Sequence, residues 1–248
     1  MWRELPNRSS RADMIPKIIH YCWFGNKEPN AEIQECMASW ARLLPDYRIV
    51  RWNESNSPLE EPYVKFTYRQ GLYAKVSNYV RLYALDTQGG IYLDTDIEVI
   101  KNFDPLLHDD AFIGFEQPHW VNNAVLGAIP HHPYIKTCID VTLSVFAERK
   151  RVLRSPELST MVLKQMGLKR YGMQVIGGVH IYPLEYFFPY PWWAQYHPVR
   201  IKPTTYTIHH WQRSSYDMTK FPMQLKLRAA LYQLQSHAQA QMTRLGIL

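Results

Sequence analysis

The sequence predicts an α/β protein, a parallel sheet with crossover helices, and three observations predict it. Two strand-like runs, Lys17 to Phe24 and Tyr47 to Trp52, flank a helical run from Ala31 to Leu44, the strand–helix–strand unit of such a sheet. The longest helical pattern, Tyr73 to Thr87, leads through Gly89–Gly90 into a third short apolar strand. That strand ends on two carboxylates, Asp94 and Asp96, and a further apolar run, Ile97 to Ile100, begins at once.

Taken in order, Met1 to Asp13 carries Arg3, Arg8 and Arg11 among Ser, Asn and Pro and reads as a loose lead-in. The first strand follows Pro16 and stops at Gly25–Asn26, a common opening for a nucleotide-binding unit. His20 within it reads as a satisfied core residue before it reads as a ligand. Ile33, Met37, Trp40, Ala41 and Leu44 recur at helical spacing until Pro45–Asp46. Asn53 to Pro58 is a loop, and Leu59 to Arg69 is again helical. Tyr73, Val76, Val80, Tyr83 and Ala84 form one stripe with Leu82 and Leu85 beside it, so this helix is expected to be largely buried. Asn78 and Arg81 share a face of it. A buried Arg needs an acceptor, which can be Asp86, Asp94 or a ligand's diphosphate.

In an extended chain Asp94 and Asp96 point to one side and Thr95 to the other. Two hard oxygen donors there suit a divalent cation that also binds phosphate, although Asp-Thr-Asp is equally ordinary turn chemistry. Ala111 to Phe115 reads as a strand. Asn122 and Asn123 precede another, where amides can meet ligand hydroxyls or simply make a turn. His131–His132 falls in an exposed loop. Tyr134 to Arg149 and Pro156 to Met166 are helices, the second capped by Ser155 with Pro156 at its first position. Val175 to Tyr182 is a strand, Tyr186 to Trp193 is an irregular aromatic run, and Thr204 to Trp211 alternates into His209–His210–Trp211. Lys220 to Leu245 is a basic amphipathic helix, able to lie on an anionic membrane or to dock on its own domain.

The 248 residues are 46% hydrophobic and 20% charged, which excludes a disordered chain. A formal charge of +6 suits polyanionic neighbours, yet no helix-turn-helix, zinc or RNA-binding signature accompanies it, so no nucleic acid is expected. Cys22, Cys36 and Cys138 are few and far apart, implying neither a disulfide framework nor a metal cluster. With no apolar leader and no run long enough to span a bilayer, the expectation is a soluble, cytoplasmic protein.

Five blocks in order resemble glycosyltransferase family 32, which holds bacterial surface-polysaccharide transferases and fungal mannosyltransferases, with glucosylating toxins as relatives. They are Ile15 to Gly25, Ser77 to Tyr83, Gly89 to Asp96, Asn122 to Ala124, and His209 to Trp211. The resemblance implies a GT-A domain over residues 15–216, Rossmann-like with a mixed sheet flanked by helices. Residues 1–14 are then a tail, and 217–248 a helical extension. It implies a retaining transferase that moves a hexose from a nucleotide-sugar, UDP-hexose first, with Mn²⁺ or Mg²⁺. The acceptor would be a polysaccharide or lipid-linked glycan in surface polysaccharide synthesis, with possible peripheral contact at the inner membrane face.

By the same resemblance Cys22 and Trp23 lie near the base, Arg81 and Asp94 near the donor sugar and ribose, and Asn78, Asn122 and Asn123 around the donor. Asp94, Asp96 and His210 hold the metal, and Asn78, Arg81, Asp94 and Asp96 form the catalytic set. The aromatic run can flank an acceptor sugar or pack over the sheet. Two positions depart from the family pattern, Asn78 where Asp is usual and Ser215 where Trp is usual. They motivate an alternative, a silent nucleotide-sugar-binding protein of the same fold.

Overall fold

The alternation of side chains along each strand sorts the core onto the two faces of one sheet. The computed structural model describes residues 14–212 and 222–244. Its strands are β1 (Ile18–Cys22), β2 (Arg48–Trp52), β3 (Gly90–Leu93), β4 (Ile97–Val99), β5 (Ala111–Gln117), β6 (Trp120–Ala128), β7 (Gln174–Ile176), β8 (Val179–Tyr182) and β9 (Thr207–His209). Its helices are α1 (Ala31–Leu43), α2 (Pro62–Arg69), α3 (Tyr73–Gln88), α4 (Pro133–Arg149), α5 (Ser155–Met166) and α6 (Met223–Arg244).

Seven strands form a mixed sheet in the order β2-β1-β3-β6-β5-β8-β7, and β4 pairs with β9 in a second, two-stranded sheet. β1 runs parallel to both β2 and β3, as the strand–helix–strand pattern requires. β6 lies antiparallel to β3 on the other side, so the end of β3 faces a change of strand direction. Tyr92, Ile113 and Leu126 face a core shared with α2 to α5. Their neighbours Ile91, Leu93, Phe112 and Val125 face Trp40 of α1, Phe103 and Phe187–Phe188. Both faces are covered, so these strands are nearly all apolar.

Local chemistry sets the helix ends. The Asn30 side chain accepts from the Ile33 N–H at 2.9 Å, and Glu61 caps α2 with Pro62 at its start. α3 stops at Gly89, whose φ is 62°. A Cβ on Gly90, at φ 106°, would sit 2.7 Å from the Ile18 carbonyl oxygen. Glycine is therefore required where the helix swings into β3 against β1.

Four local readings change. The run 175–182 is two strands, because the Gly177–Gly178 turn folds β7 back on β8. Asn122 and Asn123 lie inside β6 rather than before it. Ser155 is the first residue of α5 and Arg154 its cap position, with no side-chain capping bond, since the Ser155 hydroxyl turns to Asn123. His132 is fully buried, capping α4 through Nδ1, and only His131 is exposed.

α6 docks by one face. Ser236 is fully buried and accepts from Arg200 Nε at 3.0 Å, while the Arg200 guanidinium lies 4.2 Å over the Tyr232 ring. On the opposite face Met223, Leu227, Leu231 and Leu234 are exposed. Among the described residues no helix is long and apolar enough to cross a membrane. The lead-in Met1 to Asp13, and Ser215, lie outside the described residues.

Candidate functional site

β3, α3, β6 and the segment after β9 meet at a cavity of about 990 Å³. Asp94 and Asp96 line it together with Cys22, Trp23, Asn78, Arg81 and Asn122. The carboxylates converge by a different route from the extended chain the sequence suggested. Ile97 N–H donates to the Asp94 carbonyl at 3.0 Å, closing a turn over residues 94–97, and Asp94 N–H donates to Ala124 O at 2.9 Å. The turn, not an i, i+2 alternation, folds both acids inward.

Arg81 is buried, 3% exposed, and its donors are all taken by the protein. Nη1 donates to the carbonyl and the side-chain oxygen of Asn123 at 2.8 and 2.7 Å. Nη2 donates to Asp94 Oδ1 at 2.9 Å and Asn78 Oδ1 at 3.1 Å, and Nε to the Ser77 carbonyl at 3.3 Å. The guanidinium lies 4.4 Å over the Tyr92 ring, and the Tyr92 hydroxyl donates to Asp94 Oδ1 at 3.1 Å. Of the acceptors weighed from sequence, Asp94 is the partner. Asp86 instead lies 3.8 Å from His131. Because five N–H groups are engaged, Arg81 aims Asp94 instead of reaching for a diphosphate. Asn78 needs no negative charge in this arrangement, since Asp94 provides it.

The third member of the group is His209. One ligand atom from each of Asp94, Asp96 and His209 lies within 4.8 Å of the others. His209 Nε2 is 3.2 Å from Asp96 Oδ2, which also accepts the Gln212 N–H at 2.8 Å. His210, expected as the metal ligand, is directed elsewhere, with Nε2 2.8 Å from Glu98 Oε2. The reason is strand pairing. His209 is the last β9 residue and sits opposite Ile97, so the residue after it turns to the other side. Alternation from Thr207 can show that the two imidazoles diverge, but not which one faces Asp96.

Burial pushes the Asp94 carboxyl up, only partly offset by Arg81, and the Asp96 charge adds to the rise. For Asp96 burial acts in the same direction but is outweighed by His209 and the Gln212 N–H, leaving it lowered. Two carboxylates and an imidazole form a donor set that fits a divalent cation. His209 Nδ1 is also buried with no hydrogen-bond partner among the described residues, an unsatisfied atom in the same group.

The remaining expected residues divide. Cys22 is buried and its thiol is pushed up to about 12 by that burial, so it contributes a neutral wall. Trp23 lines the cavity with its Nε1–H on the Lys27 carbonyl at 2.6 Å. The Asn122 side chain is used within the fold, donating to Glu116 and accepting from Ala124 N–H. Asn123 reaches the site only through Arg81. Lys27, Tyr73, Ser77 and Gln212 also line the cavity and were not singled out from sequence.

A second cavity of about 820 Å³ shares Trp211 and Gln212 with the first. Trp211 has φ 54°, uncommon for a bulky residue. Its ring stacks on His209 at 3.8 Å, and its Nε1–H donates to the Tyr190 carbonyl at 3.1 Å. Cys36, on this side, is pushed up to about 12 by burial and by the surrounding carboxylates of Asp96, Glu98, Glu35 and Glu32.

The fold is the GT-A fold. Residues 30–113 match the family model of the glycosyltransferase sugar-binding region containing a DXD motif. The fold is shared with the solved PaToxG glycosyltransferase, at a TM-score of 0.52 and 23% identity over 62% of this chain and 70% of that one. Two curated relatives are similar in sequence. A mannosyl phosphorylinositol ceramide synthase of Saccharomyces cerevisiae is 33% identical over 133 residues, 50% of this chain and 34% of that one. A lactosylceramide 4-alpha-galactosyltransferase of Rattus norvegicus is 27% identical over 200 residues, 75% of this chain and 51% of that one. The chain thus spans between a third and about half the length of these relatives.

Proposed function

We propose that this chain is a metal-dependent, retaining hexosyltransferase using a nucleotide-diphosphate sugar, UDP-hexose first. The observation that carries the reading is the Asp94–Asp96–His209 group at the wall of a cavity large enough for a nucleotide-sugar. Asp94, Asp96 and His209 would hold the divalent cation, which when bound supplies positive charge to the departing diphosphate. Arg81, itself fixed by Asn123, and Tyr92 hold Asp94 in one orientation, and the Gln212 N–H holds Asp96, so the group is preorganised. In the transfer the bond from the sugar C1 to the diphosphate oxygen breaks, and a bond from C1 to an acceptor hydroxyl forms. The hydroxyl proton passes to the leaving phosphate.

Retention by front-face attack is supported by the carboxylate inventory. Among the described residues lining the cavity, Asp94 and Asp96 are the carboxylates, and both are engaged, so no separate base or nucleophile faces the donor. The relatives named for ceramide glycans favour a glycan on a lipid as acceptor, alongside the surface-polysaccharide role the sequence suggests. The outward stripe of α6, flanked by Lys226 and Arg228, suits a peripheral stand at an anionic membrane face, with the catalytic part in the cytoplasm.

Calorimetric titration of UDP with and without Mn²⁺, against the chain and Asp96→Ala, tests the donor reading. Metal-dependent binding lost in the variant is expected, with slow hydrolysis of one UDP-sugar. Metal-independent binding would overturn the metal role, and binding without hydrolysis or transfer would favour the silent alternative. Salt-sensitive binding to anionic vesicles, absent after deletion of α6, is the expected result for the membrane contact.

A further inference from the structure

The second cavity has its own chemistry. Trp192 and Tyr196 present rings to it, and Trp211 closes the side toward the first cavity. Tyr196 is 40% exposed, so its ring is open to a ligand. Glu32, Glu35 and Glu98 face it against one guanidinium, Arg42, and the His210 imidazole. Flat apolar rings beside hydrogen-bond acceptors suit a sugar, which offers C–H faces to the rings and hydroxyl donors to the carboxylates.

The wall between the cavities is itself linked to the metal group. The Gln212 backbone N–H binds Asp96 at 2.8 Å, and its side chain binds Glu32 and accepts from Asn30 Nδ2 at 3.2 Å. A ligand settled against Gln212 therefore lies one residue from the carboxylate proposed to hold the cation. The excess of carboxylates opposes a second anion, because like charges held close in a partly dehydrated cleft repel.

We propose that this second cavity is the acceptor site, and that it selects an uncharged glycan over one carrying phosphate, sulfate or carboxylate at the reacting end. The inference rests on the donor-site reading and adds to it the class of acceptor. A neutral glycan is also what the relative named for lactosylceramide suggests. Trp192 and Tyr196 form the platform, Glu35 and Glu98 take the hydroxyls, and Trp211–Gln212 admits the reacting hydroxyl toward the donor.

The test is a printed array of neutral, phosphorylated, sulfated and sialylated glycans, probed with the full chain loaded with UDP and Mn²⁺. Retention is expected on neutral glycans. Trp192→Ala should lower it about tenfold and Trp192→Phe should restore most of it, while UDP affinity stays unchanged. Glu35→Lys should raise retention on phosphorylated and sulfated glycans about fivefold. Equal or stronger retention on charged glycans by the parent chain would overturn the inference, as would indifference to Trp192→Ala or no glycan retained at all. UDP titration of the same samples separates the two readings. Intact UDP binding with any of those results defeats the acceptor cavity alone, whereas no UDP binding defeats the donor reading and this inference with it.

Discussion

Two carboxylate–imidazole pairs stand side by side where the start of β4 meets the end of β9, and they differ in almost everything but their chemistry. Asp96 and His209 are 3.2 Å apart with side chains 13% and 8% exposed, whereas Glu98 and His210 are 2.8 Å apart at 33% and 30%. The closer pair is the more exposed one. Water screens it, so its contact is worth little. The buried pair has a second carboxylate within reach, an imidazole nitrogen without a partner, and a backbone N–H on Asp96. Burial, more than distance, makes one pair a metal-site candidate and the other a cavity wall.

The largest break in that comparison should come from the ligands themselves. Asp96→Ala is expected to abolish metal-dependent UDP binding, and His209→Ala to weaken Mn²⁺ binding by at least about a hundredfold. His210→Ala should leave Mn²⁺ affinity within about twofold, and an equal loss in His209→Ala and His210→Ala would erase the distinction. Titration of Mn²⁺ followed by water-proton relaxation reads all three.

Arg81 tests whether the buried side depends on charge balance. Arg81→Ala leaves Asp94 without its cation and several acceptors unpaired, so a loss of about 3–5 kcal/mol is expected in urea unfolding. Arg81→Lys should recover part of this and not the contacts to Asn123, because one ammonium cannot span the fork.

His20 gives a pH handle remote from the metal group. It donates from Nε2 to the Gly89 carbonyl and accepts the Trp52 indole N–H at Nδ1, so the neutral ring is the one that fits. Burial lowers its pKa from the usual 6.5 to about 4. The folded state therefore resists a proton that the unfolded chain takes up. Its stability is full above about pH 6.5 and falls by up to about 3 kcal/mol as pH drops toward 4. Urea midpoints against pH should show this slope in the parent chain, reduced in His20→Gln.

The smallest effect is expected at the exposed pair. Glu98→Gln should cost about 0.5 kcal/mol at low salt and less at high salt, measured by the same unfolding. A loss as large as that of Arg81→Ala would mean the exposed pair is not screened.

By itself the sequence determined the elements and the segment on which the site is built. The apolar periods of 18–22, 31–44 and 73–88, the stop at Gly89–Gly90, and the carboxylates after β3 depend on neighbours within a few residues, and local sterics and hydrophobic spacing decide them. Asp94, Asp96, Asn78 and Arg81 could be singled out from their own segments, whereas Cys22 and Trp23 entered only through the family resemblance; all six line the cavity. What only the tertiary structure decided concerns residues far apart in the chain. His209 rather than His210 meets Asp96 because β9 pairs with β4 in one register, and a shift by one residue would exchange them. Arg81 binds Asp94 and Asn123, not Asp86, because β6 pairs beside β3 and carries Asn123 to the end of α3's buried face. The docked face of α6 and the second cavity likewise depend on contacts across the fold. Local spacing carries no information about which distant partner a side chain will meet once water is excluded.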